Sequence, residues 1–172
     1  MDDDLTLLAI PAIVRELGDA LRARSWQLAT AESCTGGLIA AACTDLAGSS
    51  DWFERGFVSY SNLAKFELLG VPEDLIARHG AVSEEAARAM VQGALARAPV
   101  QLALAVTGIA GPGGGAPGKP VGMVWLAWGT RSDPQGLPQI QAECLHLPGN
   151  RAAVRAATVA AALRRLLLAT QA

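Results

Sequence analysis

The stretch Val-Gln-Leu-Ala-Leu-Ala-Val-Thr-Gly at positions 100–108 is apolar almost without interruption. It is too short to span a bilayer and is followed at once by glycines and prolines. Such a run reads as a central β-strand covered on both faces. A strand of that kind needs helices above and below its sheet, which confines the chain to a layered α/β design.

The rest of the sequence alternates in the way that design requires. Residues 5–24 predict a helix disturbed by Pro11 and closed by Arg22 and Arg24. WQLATA (26–31) predicts a buried strand, and LIAAACTDLA after Thr35-Gly36-Gly37 predicts a helix ending near Gly48. A strand over 52–61 precedes a helix over 62–70, which stops at Gly70 with Pro72 beyond. EDLIARHG (73–80) is a short helix. Ser83 caps a longer one whose first turn holds Glu84 and Glu85, the sign the helix dipole favours. Strands over 121–130 and 139–147 form an antiparallel pair around a loose loop, 131–138, and Asn150 caps a final helix, 151–169. The expected fold is a three-layer α/β/α sandwich with a mixed, mostly parallel sheet. A length of 172 residues suits one domain spanning 1–172.

Composition removes several function classes. A net charge of −2 is wrong for a protein that coats nucleic acid. Asp2, Asp3 and Asp4 stand where a secretory signal carries basic residues, and they read as a frayed terminus. The apolar C-terminal stretch is broken by Arg151, Arg155, Arg164 and Arg165, so no membrane span is expected. Cys34, Cys43 and Cys144 are odd in number and widely spaced, which suits a reducing cytoplasm better than a disulfide framework. With His79 and His146 alone, a multi-histidine metal site is hard to build, and no metal is expected. Tryptophans near 125–128 and an alanine-rich final helix leave self-association open.

Three loops, each following a strand, draw attention because ligands of open α/β sheets gather beyond the carboxyl ends of strands. The first is Glu32-Ser33-Cys34-Thr35-Gly36-Gly37. It sets a hydroxyl and a thiol between a strand and a helix, where backbone amides can hold an oxyanion. The bland alternative is an ordinary helix cap. The second, Tyr60-Ser61-Asn62-Leu63-Ala64-Lys65, offers a lysine able to replace histidine as the base of a serine nucleophile if its pKa falls. A surface lysine is the alternative there. The third runs from Thr107-Gly108 through Gly111 and Gly113 to Gly115. The Thr107 hydroxyl is expected to face the crevice of Ser33, and the glycines expose amides suited to an anion.

A near match to a phosphate-binding loop, Gly113 to Gly118-Lys119, fails because Pro120 stands where Ser or Thr is needed and a strand follows. Arg151 and Arg155 lie one turn apart at the start of the last helix, where cations are disfavoured unless an anion binds. His79 reads as a helix end and His146 as a strand residue, neither of them catalytic.

The blocks TAESCTGG (30–37), VSYSNLAK (58–65), LLGV (68–71), HGAVSEEAA (79–87), AVTGIAGPGGG (105–115), KPVG (119–122) and GNRAAVR (149–155) resemble the CinA C-terminal domain family, in its order, over roughly residues 10–168. Stand-alone members of that family are nicotinamide-nucleotide amidohydrolases. The N-terminal domain of two-domain CinA proteins is expected to be absent. The resemblance implies conversion of nicotinamide mononucleotide to nicotinic acid mononucleotide and ammonia, without metal or organic cofactor. It implies Ser33 as nucleophile, Lys65 as general base and Thr107 as a relay or orienting hydroxyl. Glu32, Cys34, Thr35, Gly36, Gly37, Tyr60, Gly108, Gly111, Gly113 and Arg151 are the expected substrate contacts. Three rivals stand beside this reading: Cys34 as nucleophile, a silent pyridine-nucleotide or ADP-ribose binding module, and a metal-dependent phosphate-cleaving enzyme.

Overall fold

The protein is described here from a computed structural model that covers residues 2–131 and 136–171, with side chains from Ala9 onward. The chain runs α1 (Asp2–Ala23), β1 (Leu28–Glu32), α2 (Leu38–Thr44), β2 (Phe53–Val58), α3 (Asn62–Leu69), α4 (Glu73–His79), α5 (Glu84–Arg97), β3 (Leu102–Gly108), β4 (Met123–Thr130), β5 (Gln139–His146) and α6 (Arg151–Ala169). Among the described residues, no helix is long and apolar enough to cross a membrane.

The five strands lie in the order β2-β1-β3-β4-β5. β1 runs parallel to β2 and β3, while β4 is antiparallel to both β3 and β5. β5 therefore points the same way as β1, β2 and β3, which makes the mixed sheet mostly parallel. The chain leaves β1 toward β2 and later returns to β3 on the other side of β1. This reversal opens a crevice beyond the carboxyl ends of β1 and β3.

Period-two alternation assigns the two faces. Leu28 of β1, Leu102, Leu104 and Val106 of β3, and Val124 and Leu126 of β4 pack with Val14, Leu17 and Leu21 of α1, Ile39 of α2, and Val154 and Leu163 of α6. On the opposite face the fully buried hydrophobic strand residues are alanines: Ala29, Ala31, Ala103, Ala105 and Ala127 meet Met90, Val91 and Leu95 of α5, with Leu69 of α3 and Ile76 of α4. Small residues on the sheet let α5 lie close to it, and its own larger side chains fill the layer. Each large side chain so buried stabilises the fold by about 1.5–3 kcal/mol.

Gly93 of α5 shows how tight this layer is. A Cβ there would lie 2.0 Å from the backbone oxygen of Leu69. Gly93→Ala should lower stability by about 2 kcal/mol or more despite alanine's better helix propensity, because backbone on α3 must move. A thermal melt of this variant checks the close approach.

Boundaries differ from expectation where tertiary packing decides. α1 runs unbroken from Asp2 through Pro11, so Asp2–Asp4, expected outside the helix, form its first turn. Pro11 is exposed, which puts its ring on the solvent side while α1 packs along α6. α2 ends at Thr44, and a single 3-10 turn, Ser49–Asp51, leads to Trp52, which is fully buried. β1 extends through Glu32, and β2 stops at Val58 because Ser61 caps α3 with its hydroxyl on the Ala64 amide. Of the expected 131–138 loop, residues 132–135 lie outside the described residues. Trp125 and Trp128 are half-buried, and the Arg165 guanidinium lies 5.6 Å from the Trp128 ring centre.

Candidate active site

Ser33 is the first residue beyond β1. Its amide donates to Val106 at 3.1 Å, which pins it beside the end of β3. Only 8% of the residue is exposed. Gly36 and Gly37 follow with φ of 60° and 100°, left-handed values that glycine adopts without strain. They turn the chain sharply from β1 into α2.

Lys65 reaches Ser33 from the first turns of α3. Its Nζ lies 3.0 Å from Ser33 Oγ, 2.8 Å from the carbonyl oxygen of Ser59 and 3.3 Å from that of Tyr60. The residue is 1% exposed. Burial pushes its pKa below the ordinary lysine value, because the charged form loses hydration. No carboxylate forms an ion pair with it among the described residues. A neutral amine has two N–H groups and one lone pair. With both N–H groups on the two carbonyls, the lone pair is left for the Ser33 hydroxyl. The surface-lysine alternative is overturned by this burial.

Glu32, an expected substrate contact, has its carboxylate engaged within its own loop. Its carboxylate, 1% exposed, accepts from Thr35 Oγ1 at 2.6 Å and from the amides of Gly37, Ile39 and Ala40 at 3.0, 3.1 and 2.8 Å. The anion is thus saturated by its own loop and the helix it starts. Thr35 is fully buried with its hydroxyl committed to Glu32, and its carbonyl accepts from Arg155 at 2.9 Å. The Gly36 amide donates to Ser33 and the Gly37 amide to Glu32, so neither is free to hold an oxyanion.

Cys34 is 5% exposed and packs into the layer of α1, α2 and α6. Its thiol is pushed up to about 11, mainly by burial and further by the nearby Glu32 charge. A thiol held protonated at neutral pH is a poor nucleophile.

Thr107, 1% exposed, donates its hydroxyl to the Ala81 carbonyl at 2.7 Å, which ties β3 to the turn between α4 and α5. That proton is therefore engaged away from Ser33. Gly108 is explained by its neighbours, since a Cβ there would lie 2.8 Å from the Met123 carbonyl oxygen. Gly111 precedes a cis bond to Pro112, and Gly113 stands open with nothing within 4 Å of a built Cβ.

Arg151 joins two of the expected loops. One guanidinium nitrogen donates to the Gly111 carbonyl at 3.0 Å and another to the Tyr60 hydroxyl at 2.9 Å. Tyr60 is exposed at this bridge, while its carbonyl faces Lys65. His79 pairs with Glu85 at 3.2 Å and takes no part in the site. Residue-type reasoning missed the carbonyls of Ser59, Tyr60 and Ala81, which carry no signature in a sequence. It also left Arg155 undecided between phosphate and solvent, where the structure puts it on the Ser33–Gly37 loop.

Comparison with known proteins bears on this geometry. The CinA C-terminal domain family matches residues 11–170. The chain is 51% identical over 158 residues to the nicotinamide-nucleotide amidohydrolase PncC of Pseudomonas putida, covering 92% of this chain and 95% of that protein. It is 50% identical over 151 residues to the protein of the same name from Escherichia coli K12, covering 88% of each. The crystal structure of the competence/damage inducible protein CihA from Agrobacterium tumefaciens superposes with a TM-score of 0.88 at 42% identity, over 95% of this chain and 96% of that one.

Proposed function

Because the chain belongs to the CinA C-terminal domain family, we propose that it hydrolyses the carboxamide of nicotinamide mononucleotide, with Ser33 as nucleophile and Lys65 as its general base. The observation that carries this reading is the 3.0 Å contact between Ser33 Oγ and a buried lysine with two carbonyl acceptors. The PncC relatives named above match over most of both chains, which supports carrying their activity across.

The chemistry follows from those atoms. Ser33 Oγ bonds to the carboxamide carbon as its proton passes to the Lys65 lone pair, and the carbonyl π pair moves onto oxygen. The oxyanion needs preorganised donors, and with Gly36 and Gly37 engaged we assign the Cys34 amide, next after the nucleophile, to that task. Lys65 then returns its proton to the departing nitrogen, the C–N bond breaks, and ammonia leaves. Water attacks the acyl-serine as Lys65 takes its proton, the ester C–Oγ bond breaks, and Lys65 returns the proton to Ser33 Oγ, giving the nicotinic acid nucleotide and the free serine. Arg151 ties Gly111 to Tyr60, whose carbonyl accepts from Lys65, and we assign ribose and phosphate to Gly111–Gly115 and Arg151. Thr107 serves as a positioning group through Ala81. The whole domain acts as the unit, and its three unpaired cysteines suit a cytoplasmic location.

Incubation with the mononucleotide in EDTA should release ammonia and the acid nucleotide in equal amounts. Binding without ammonia release would leave a silent nucleotide-binding module. Inhibition by EDTA would favour the metal-dependent rival.

A further inference from the structure

We propose that Glu32 and Arg155 are positioning residues that clamp the nucleophile loop from opposite sides, so that Ser33 is held at proton-transfer distance from Lys65. This rests on the Ser33–Lys65 reading above and extends it to two side chains that touch neither the amine nor the hydroxyl in this structure.

The clamp is visible in how the polar groups between residues 33 and 40 are used. Glu32 collects donors from Thr35, Gly37, Ile39 and Ala40 onto one buried carboxylate. An ionised carboxylate is the group that satisfies four donors at once, since it only accepts. Arg155 reaches across from α6 and donates to the Thr35 carbonyl, on the same turn but with the opposite charge. The loop is thereby gripped through its donors by an anion on β1 and through an acceptor by a cation 120 residues later. Left-handed glycines at 36 and 37 give this turn more backbone freedom than other residues would. The two charged side chains remove that freedom.

The position of Ser33 depends on this grip. Its own amide is tied to Val106, and its carbonyl accepts from Gly36, inside the clamped turn. Release of Glu32 lets Gly36 and Gly37 relax, and the Ser33 carbonyl moves with them. An angstrom of drift at a reacting atom costs on the order of 100-fold in rate.

Glu32→Gln keeps the shape but turns an NH₂ toward groups that also donate. We expect kcat to fall on the order of 100-fold and KM to change little. Arg155→Lys should retain more activity than Arg155→Ala, because an ammonium can still meet the Thr35 carbonyl. Neither acidic nor basic change should move the pH at which activity rises, since Lys65 bonds to neither residue. That separates positioning from an electrostatic effect on the base.

The deciding experiment is the rate at which a serine-directed fluorophosphonate modifies the full chain, read by peptide mass spectrometry, with thermal melts alongside. The clamp predicts labelling at Ser33 in the wild type and labelling on the order of 100-fold slower in folded Glu32→Gln and Arg155→Ala. Equal labelling rates in wild type and both folded variants would overturn the clamp while leaving the nucleophile in place. Labelling of wild type at a residue other than Ser33 would overturn the nucleophile, and the clamp with it. If Glu32→Gln does not fold, Arg155→Lys and Arg155→Ala carry the comparison alone.

Discussion

Ser33→Ala is expected to reduce kcat by at least about 10⁴-fold, the scale seen when the nucleophile of a hydrolase is removed. The fold should survive. The Ser33 side chain meets Lys65 Nζ alone among the described residues, while its backbone holds Val106 and Gly36. Alanine keeps both backbone bonds. Binding of the mononucleotide should change little, because the contacts assigned to ribose and phosphate come from other loops. A single-turnover assay with a binding titration checks both halves. Activity within tenfold of wild type would hand the chemistry to another group. Cys34 is poorly suited to take it, with its thiol buried and its pKa pushed up to about 11.

Lys65→Met is the second large effect, and its pH dependence is as informative as its size. Methionine fills much the same buried volume and carries no base. Loss of a general base typically costs about 10²–10⁴-fold. In the wild type, the amine works as a base only when neutral. Activity should therefore rise with pH through the Lys65 pKa, which burial holds below the ordinary lysine value. The variant should lose that rise.

The same shift makes stability depend on pH. Between the lowered pKa of the folded state and the ordinary pKa of the unfolded chain, the unfolded state binds the extra proton. Stability therefore rises with pH across that window. The melting temperature of wild type relative to Lys65→Met should climb as pH increases toward the ordinary lysine range. A constant difference would mean that the lysine is charged in the fold.

Much of the fold could be read from residue order because period and punctuation agree along the chain. The alternation Leu28-Ala29-Thr30-Ala31 and its echo in Leu102-Ala103-Leu104-Ala105 announce strands with one large and one small face. Ser61, Ser83 and Asn150 each cap the helix they precede, through a side-chain oxygen on an amide three residues on. The misjudged limits lie where local packing and capping prevail, as at α2, which stops at Thr44 short of Gly48, and at β2, which stops at Val58 ahead of the Ser61 cap.

The site was legible in part. A serine after β1 and a lysine at the start of α3 stand out as residue types in loops that must converge, and they do meet. The sequence gives no sign of how polar groups are shared once the chain closes. Glu32 looks like any acid beside a candidate nucleophile, yet its carboxylate is consumed by its own loop and helix. Thr107 looks like a relay, yet it donates to Ala81. Arg151 looks like a phosphate ligand, and here its guanidinium bridges Tyr60 and Gly111. In each case the missing information is a backbone carbonyl or amide whose position only the fold supplies.

The chain has two lysines, Lys65 and Lys119, so the protonation of the base can be followed directly. Lys119 donates to the His79 carbonyl in an exposed position, and Lys119→Arg leaves a single lysine signal. In protein labelled at lysine ¹³Cε, Lys65 is expected to lose its proton below the ordinary lysine range, at the pH where kcat/KM for amide hydrolysis rises. A Lys65 signal that titrates at the ordinary lysine value or above, while activity rises at a lower pH, would contradict the claim that this amine takes the proton from Ser33.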